Sequence, residues 1–359
     1  MRVALIGGGW YGCHLAATLA NLGARVRLFE ANDRLFSVAS GYNQNRLHLG
    51  FHYARDYMTR LQSRDGHNRF LERYPQFSLS IPFNLYGVPD HQSLIDYRTY
   101  KAIMAATGIE FDELHANPLD FDIRNIQGLM NTTERVVLNQ KAASYFSKLL
   151  CNVTEYGIQV EQSDIRICED RAWVFNESYD YVIDTTWGHL FKPPFEIFYE
   201  ATALLYYRLK RPTPEGRWAL TLVDGNLCSI YPTEDPEIYT LSSVTHTPLK
   251  QFINSAEARQ YIDKVDRSDF VMRQQLMEEE IRHYVPSFSD LFEYESPQIS
   301  LKTKPVGKQD NRACTVDRRG RLLSVMSGKI DTIFAATEAV LFHIAAEPSI
   351  ADARPIEAA

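Results

Sequence analysis

The sequence predicts an α/β fold with two domains, and three observations support this. The chain has 359 residues, and at roughly 100 to 200 residues per domain this length accommodates about two domains. Residues 1–30 have the pattern of a strand, a glycine-rich turn, a helix and a second strand. Residues 200–244 contain alternating aliphatic and aromatic runs broken by proline and glycine, which is typical of an antiparallel sheet.

Hydrophobic periodicity and turn residues predict the individual elements in chain order. An apolar strand at 3–6 leads into a helix with Leu15, Leu19 and Leu22 on one face, and a strand at 25–30 follows. The later predictions are a charged helix over 57–73, a strand over 83–88, helices over 96–106 and 139–150, strands near Ile165 and Trp173, an apolar strand within 179–188, a long charged helical segment over 254–284, and a strand from 322 followed by a helix with Ile330, Ile333, Phe334, Thr337, Leu341 and Ile344 on one face.

Composition and charge narrow the classes of protein and partner. Hydrophobic residues make up 45% and charged residues 23%, close to the average for globular proteins, which argues against a disordered chain. The net charge of -7 gives no general attraction for nucleic acid, so a small-molecule partner is favoured. No apolar run is long enough for a membrane span, and the first residues lack a signal-peptide core, so a cytoplasmic location is expected. The oligomeric state stays open.

The turn Gly7-Gly8-Gly9-Trp10-Tyr11-Gly12 matches a dinucleotide-binding fingerprint. Gly7 permits the tight turn, Gly9 lets a pyrophosphate approach the backbone, and Gly12 allows close helix packing. The following helix N-terminus offers N–H groups and partial positive charge to the phosphates. Glu30, at the end of the next strand, can accept hydrogen bonds from an adenosine ribose and would repel a 2′-phosphate.

Three further segments resemble one flavoprotein family and distinguish FAD from NAD. Residues 40–53 (SGYNQNRLHLGFHY) look like the loop after the second strand in the D-amino-acid-oxidase-like superfamily, which includes sarcosine and glycine oxidases, glycerol-3-phosphate dehydrogenase and 2-hydroxyglutarate dehydrogenase. Residues 180–188 resemble the later strand whose glycine-containing end closes over FAD, and residues 324–332 (SVMSGKIDT) resemble the C-terminal Gly-Gly-Lys turn of the glycerol-phosphate branch. The resemblance implies a Rossmann-like FAD-binding domain and a second substrate domain built on an antiparallel sheet.

The resemblance and the fingerprint together predict the cofactor contacts. Ser327, Gly328 and Lys329 precede an amphipathic helix, so their N–H groups and the lysine can place positive charge near the flavin pyrimidine ring. In the alternative, this is an ordinary helix start with Lys329 in solvent. The predicted FAD-binding residues are Gly7, Gly8, Gly9, Trp10, Tyr11, Gly12, Glu30, Ser40, Asn43, Asn45, Arg46, Gly188, Ser327, Gly328, Lys329 and Ile330.

The loop at 45–53 also supplies candidate substrate residues. Read as an extended segment, positions 45, 47, 49, 51 and 53 are mainly apolar, while Arg46, His48 and His52 face the other side with a gap at Gly50. That face suits an aromatic ring and an anionic substrate. Surface charges or structural histidines are the alternative, and no metal site is expected, because no third ligand is indicated.

Lys304-Pro305 resembles the Arg-Pro element of amino-acid oxidases, whose arginine binds the substrate carboxylate. Lysine lacks the bidentate fork of arginine, which argues against a simple amino acid as substrate. Lys304 therefore joins Arg46, His48 and His52 as a predicted catalytic residue. Cys314 does not match the cysteine that attaches flavin covalently in some relatives, so dissociable FAD is expected.

The predicted domains are discontinuous. Residues 1–80, 135–195 and 298–347 form the FAD-binding domain, residues 81–134 and 196–297 form the substrate domain, and residues 348–359 form a frayed tail. The expected chemistry is transfer of a hydride to FAD from a C–H that bears an amine or hydroxyl, on a small polar, anionic substrate. The alternatives are a flavin dehydrogenase of a hydroxy acid or sugar derivative, and a protein that binds FAD without catalysis.

Overall fold

A computed structural model describes residues 1–266, 268–307 and 312–345. The chain divides into two compact units, of which unit 1 comprises Met1–Gly41, Gln140–Phe198 and Thr303–Ala359, and unit 2 comprises Tyr42–Asn139 and Tyr199–Lys302. The predicted frayed tail, residues 348–359, lies outside the described residues. Among the residues that the structure describes, no helix has the length and apolar character needed to cross a membrane.

The described residues form strands and helices in the following order. The strands are β1 (Arg2–Ile6), β2 (Arg25–Glu30), β3 (Arg46–Leu47), β4 (Ser78–Leu79), β5 (Phe83–Pro89), β6 (Phe111–Leu114), β7 (Ile126–Thr132), β8 (Arg135–Val137), β9 (Thr154–Tyr156), β10 (Ile165–Ile167), β11 (Ala172–Val174), β12 (Glu177–Tyr179), β13 (Tyr181–Asp184), β14 (Ile197–Leu209), β15 (Trp218–Leu222), β16 (Cys228–Pro232), β17 (Ile238–Ser243), β18 (Pro248–Phe252), β19 (Phe292–Pro305), β20 (Thr315–Arg319) and β21 (Leu322–Met326). The helices are α1 (Trp10–Asn21), α2 (Tyr57–Arg73), α3 (Tyr97–Ala106), α4 (Asn139–Leu149), α5 (Ser255–Lys264), α6 (Ser268–Tyr284), α7 (Phe288–Leu291) and α8 (Ile333–Ala345).

Unit 1 is built on a sheet with the strand order β20-β21-β13-β1-β2-β9. Its inner pairs are parallel, with Leu5 opposite Ile183 on one side and Leu28 on the other, and only β20 runs antiparallel to its neighbour. The near-continuous apolar strands reflect burial of both sheet faces, as expected of a parallel sheet. A small antiparallel sheet, β10-β11-β12, shares an apolar core with β1 and β13 through Val174 and Tyr179.

Unit 2 contains a large sheet with the order β18-β14-β17-β16-β15-β5-β7-β6, and β19 pairs with β14. Along the order from β18 to β6, the pairs are antiparallel except β5 with β15. Met277 and Ile281 of α6 pack on one cluster of its apolar residues, and Tyr100 and Met104 of α3 pack on another together with Phe51. The antiparallel sheet predicted over residues 200–244 is therefore present as β14 to β17.

The boundary between the two units differs from the predicted domains at residues 42–80. These residues lie in unit 2, because β3 and β4 both pair with β8 in a sheet of order β3-β8-β4. The pairings join segments about ninety residues apart for β3 and about sixty for β4, and local sequence patterns do not report contacts of that range. The compact units thus group 42–80 with unit 2, whereas the predicted FAD-binding domain includes them.

Three predicted elements also differ in their extent. The segment 254–284 is two helices, because α5 ends at Lys264 and the carboxylate of Asp266 accepts a hydrogen bond from the Ser268 N–H to start α6. The strand within 179–188 ends at Asp184. Ile330 lies in a 3₁₀ turn, Ile330–Thr332, ahead of α8, so the fully buried face of α8 comprises Ile333, Ala336, Thr337 and Val340.

Candidate functional site

The glycine turn between β1 and α1 is closely packed in unit 1. Gly7 has φ of +103°, a region that disfavours side chains. A Cβ on Gly12 would overlap the carbonyl oxygen of Gly7, so the first turn of α1 lies directly against the glycine turn. These two glycines therefore have the roles in turn and packing that the fingerprint predicts.

Gly9 lies at the N-cap of α1 and faces Ser40. Its φ of -83° is accessible to any residue, but a Cβ there would be 2.7 Å from the Ser40 hydroxyl oxygen. The same hydroxyl accepts a hydrogen bond from the Trp10 N–H at 3.0 Å. Ser40 thus caps the helix N-terminus at the position where a phosphate oxygen would accept from the same N–H.

Glu30 supports the turn from the end of β2. One carboxylate oxygen, Oε2, accepts from the Gly8 N–H at 2.7 Å, and Oε1 accepts from the Asn32 backbone and side chain at 2.9 and 2.8 Å. The side chain is buried. A carboxylate has about four acceptor positions, so a ribose hydroxyl would be accepted at Oε2 beside the Gly8 N–H.

The Trp10 ring belongs to the core of unit 1. It is 1% exposed and packs on the rings of Phe36 and Phe146 at centroid distances of 5.0 and 5.9 Å. The buried ring is therefore not available to a cofactor, and the backbone N–H is the group of Trp10 that remains a predicted contact. Tyr11, the next residue, instead directs its hydroxyl toward the turn that precedes α8.

The turn at residues 327–332 is fixed to α1 by hydroxyl groups. The Tyr11 hydroxyl donates to the Lys329 carbonyl oxygen and lies 2.6 Å from the Thr332 hydroxyl. The Ser327 hydroxyl lies 2.8 Å from the same Thr332 oxygen. Burial, reinforced by Cys314 and Asp331, raises the pKa of the Tyr11 phenol, so it stays neutral and can donate.

The burial of Lys329 and the packing of Gly328 describe the surroundings of this turn. Lys329 is 6% exposed, which excludes the alternative that it lies in solvent. Gly328 is exposed, but a Cβ there would overlap the Trp187 ring, so the backbone packs closely against the indole on one side. Ile330, the last predicted contact in the turn, is half-buried.

Two buried carboxylates in unit 1 are not among the site residues predicted from the sequence. Asp184 ends β13 and accepts from the Thr186 and Phe191 N–H groups at 2.8 and 3.1 Å. Burial, partly opposed by these hydrogen bonds, raises the pKa of Asp184 to about 6. It fixes the turn that contains Gly188, whose φ is +78° and whose Cβ would meet Ile197. The second carboxylate is Asp331, which is fully buried within the turn before α8.

The structure places Arg46 in the interior of unit 2. It is 4% exposed, its Nη1 donates to the Tyr86 hydroxyl at 3.0 Å, and its guanidinium carbon lies 4.2 Å from the Tyr231 ring centroid. The predicted extended segment stops at Leu47, so Arg46 does not share an outward face with the two histidines. Among the described residues, Nε and Nη2 of Arg46 have no hydrogen-bond partner.

Glu134 connects Arg46 with His48. Its Oε2 accepts from the Tyr86 hydroxyl at 2.6 Å, and its Oε1 accepts from the Leu49 N–H and lies 3.8 Å from His48 Nδ1. Burial is the main cause that raises the pKa of Tyr86, so this phenol remains protonated. Glu134 precedes β8 in a segment of ordinary appearance, and no local pattern in the sequence identifies it.

The rest of the predicted loop is held by local contacts. The His48 and His52 rings are half-buried with centroids 5.6 Å apart. The Asn43 side chain accepts from the Asn45 N–H at 2.7 Å, and the Asn45 side chain donates to the Val137 carbonyl at 3.1 Å. These two amides therefore shape the loop.

Gly50 does not provide the predicted open gap. Its φ is +117°, and a Cβ would lie 3.0 Å from both the Arg60 and Ile109 side chains. Arg60 in turn donates to the carbonyl oxygens of Tyr53 and Ala54 at 2.9 and 2.8 Å. The space beside Gly50 is therefore filled by an arginine that holds the loop. Lys304 lies half-buried near the end of β19, in unit 1.

Comparison with known proteins identifies the family. The family described as DAO, FAD dependent oxidoreductase, matches residues 2–294. The FAD-dependent monooxygenase FPY4 of Fusarium mangiferae is 52% identical over 337 residues, which are 94% of this chain and 89% of that protein. The FAD-dependent monooxygenase kojA of Aspergillus flavus is 25% identical over 369 residues, covering 95% of this chain and 85% of that protein.

Solved structures share the fold at low sequence identity. The L-α-glycerophosphate oxidase of Mycoplasma pneumoniae, with FAD bound, has a TM-score of 0.72 and 14% identity, covering 96% of this chain and 94% of that one. The glycine oxidase of Geobacillus kaustophilus has a TM-score of 0.71 and 14% identity, covering 97% and 96%. With the family match over most of the sequence, these findings show that the chain belongs to the DAO family and is an FAD-dependent oxidoreductase.

Proposed function

We propose that this enzyme removes a hydride from a C–H that bears an amine or hydroxyl, on a small polar substrate with an anionic group. FAD supplies the redox chemistry by accepting the hydride. The protein binds the anion, orients the C–H and excludes water. Proximity and orientation alone supply a large part of the rate enhancement in such reactions.

The main support for this proposal is the pair of Arg46 nitrogen atoms, Nε and Nη2, that have no hydrogen-bond partner among the described residues. Nη1 is engaged by Tyr86, which leaves Nε and Nη2, the two donors on one side of the planar guanidinium. Two parallel N–H donors match a carboxylate or phosphate bidentately. Because these nitrogen atoms have almost no accessible surface, the anion replaces side chains that cover them when it binds.

The neighbours of Arg46 fix the guanidinium in place. The Tyr231 ring lies against its face, and the Tyr86 hydroxyl holds Nη1 while donating to Glu134. Glu134 Oε1 also lies 3.8 Å from His48 Nδ1, so the carboxylate joins Arg46 and this histidine in one cluster. His48, His52 and Lys304 are thus proposed to assist substrate binding.

Most of the residues proposed to hold FAD lie in unit 1. The turn from Gly7 to Gly12 and the helix N–H groups fit the pyrophosphate, Ser40 adjoins this place, and Glu30 fits the adenosine ribose. The turn with Ser327 and Lys329 provides positive charge for the reduced flavin. Gly188 of unit 1 and Asn43 and Asn45 of unit 2 are further proposed contacts. The absence of a matching cysteine favours dissociable FAD.

The names of the sequence relatives support a second candidate, monooxygenation. FPY4 and kojA are both called FAD-dependent monooxygenases, and FPY4 shares 52% of its aligned residues with this chain. In that reaction one oxygen atom of O2 enters the substrate and the other becomes water, with two electrons from a reduced nicotinamide. Dehydrogenation of a hydroxy acid or sugar derivative is a variant of the first proposal, with an electron carrier as the final oxidant.

An anaerobic screen separates these candidates. The FAD-loaded protein is mixed without oxygen with amines, amino acids, hydroxy acids and sugar acids, and flavin absorbance is followed. Bleaching by an organic anion supports direct hydride removal. Bleaching by NADH or NADPH alone, followed by substrate hydroxylation when air is admitted, supports monooxygenation and rejects the first proposal. Absence of reduction by every compound of both classes would reject both candidate reactions for the substrates screened.

A further inference from the structure

Asp331 is a completely buried carboxylate that the protein itself leaves without hydrogen-bond donors. It lies in the 3₁₀ turn Ile330–Thr332 between β21 and α8, and it is 0% exposed. In the part of the chain that the structure describes, neither carboxylate oxygen has a hydrogen-bond partner. Buried carboxylates are ordinarily paired or hydrogen-bonded, so the group requires donors from elsewhere.

The hydroxyl groups in and beside the turn that contains Asp331 are engaged with each other. The Thr332 hydroxyl lies within hydrogen-bond distance of both Tyr11 and Ser327. The Tyr11 hydroxyl also donates to the Lys329 carbonyl oxygen. The turn is therefore assembled around its hydroxyl groups, while the one acidic side chain in it stays outside this network.

The position of the turn indicates which part of a ligand would supply the donors. Tyr11 lies in the first turn of α1, whose N-terminus is the proposed pyrophosphate site, and its hydroxyl contacts the turn directly. In FAD, the group that follows the pyrophosphate toward the flavin ring is the ribityl chain, which carries adjacent hydroxyl groups. Hydroxyl donors to a buried carboxylate form strong, charge-assisted hydrogen bonds.

We propose that Asp331 accepts hydrogen bonds from the ribityl hydroxyl groups of FAD. The proposal rests on the placement of the pyrophosphate at the glycine turn, and it adds a cofactor-binding residue that sequence comparison with the Gly-Gly-Lys turn does not suggest. In the apoprotein the carboxylate is buried without donors, whereas in the FAD complex it is satisfied. Asp331 therefore opposes apoprotein stability and favours FAD binding.

The experiment uses these two opposite effects of Asp331, on the stability of the apoprotein and on the affinity for FAD. Asp331→Leu, which has the same number and branching of side-chain heavy atoms, removes the buried charge, and Asp331→Asn retains one acceptor oxygen. We expect the apoprotein of Asp331→Leu to melt at a higher temperature than wild type, while its Kd for FAD, measured by flavin fluorescence quenching, rises at least tenfold. Asp331→Asn should show a smaller rise in Kd. Glu30→Gln is the matched control, because Glu30 is a buried carboxylate with donors, and its apoprotein should melt at a lower temperature.

FAD analogues that each lack one ribityl hydroxyl test the assigned contact. Wild type should bind at least one of them tenfold more weakly than FAD, and Asp331→Leu should bind that analogue and FAD equally. Equal discrimination by both proteins would overturn the proposal, as would an Asp331→Leu apoprotein that is less stable with an unchanged Kd. Normal FAD binding by Gly9→Val would instead reject the placement at the glycine turn, and the inference with it, without bearing on substrate oxidation.

Discussion

Replacing Arg46 by alanine tests the proposed anion site most directly. The variant removes the Nε and Nη2 donors and leaves the Tyr86 to Glu134 hydrogen bond in place. A charge-assisted contact is worth about 1.5 to 3 kcal/mol, and about 1.4 kcal/mol corresponds to tenfold in rate. Arg46→Ala should therefore lower the second-order rate constant for flavin reduction by about one to two orders of magnitude. Arg46→Lys should recover only part of this, because an ammonium cannot bind bidentately.

The assay is anaerobic stopped-flow reduction of the flavin by the substrate from the screen, with FAD content matched between proteins. Arg135→Ala is the control, since Arg135 lies on β8 opposite Leu47 and its Nε donates to the Ser78 hydroxyl. It should change the rate constant by less than about twofold, as expected for an arginine outside the proposed site. Equal rate constants for wild type and Arg46→Ala would refute the anion-binding role, and loss of FAD from Arg46→Ala would reassign the residue to the cofactor.

Four further predictions concern the two units. Gly9→Val should fold normally, because its φ of -83° is unrestricted, yet lose FAD on gel filtration, since the side chain occupies the phosphate approach beside Ser40; retained FAD would contradict the site. Lys329→Met should lower the flavin reduction potential by about 30 to 60 mV, equivalent to about 1.4 to 2.8 kcal/mol for two electrons; an unchanged potential would show that the amine is remote from the ring. Glu134→Gln should lower the free energy of unfolding in urea by about 3 kcal/mol, because the buried Arg46 loses its nearby negative charge; an unchanged value would show that the charge is compensated elsewhere. The pKa of Asp184 is raised from 3.8 to about 6, so the folded chain binds this proton more tightly than the unfolded chain, and stability should fall by about 3 kcal/mol as pH rises from about 4 to 6; Asp184→Asn should flatten the melting temperature across that interval.

Local chemistry made much of the fold predictable. The helix predicted over 57–73 coincides with α2, because Asp56 caps its N-terminus and Pro75 follows its end. The helix predicted over 96–106 matches α3 with Asp96 as its cap. The glycine turn could be interpreted because its strand, turn and helix are contiguous, and the resemblance to the DAO family was confirmed by the family match.

The residues that the sequence could not assign depend on distant partners. Glu134 can be recognised as part of the candidate site only from the pairing of β3 with β8, which brings it close to Arg46 and His48. Gly50 looks like an opening for a ligand, but Arg60 from α2 occupies it. Asp331 resembles any polar residue at a helix start until its complete burial is known. Charge pairing and burial of this kind are properties of the packed chain rather than of local sequence.

The discontinuity of unit 1 bears on how the chain folds during synthesis. The strand β21, which pairs with β13 near the middle of the unit 1 sheet, lies near the end of the sequence. On the ribosome, β13 therefore leaves the exit tunnel with one edge unpaired while more than a hundred further residues are made, and unpaired edges invite aggregation. All segments of unit 2 are synthesised before Thr303, so they can form their contacts first. A chain that stops short of β21 would lack the partner of β13, and chaperone demand should be greatest during translation of residues 185–321.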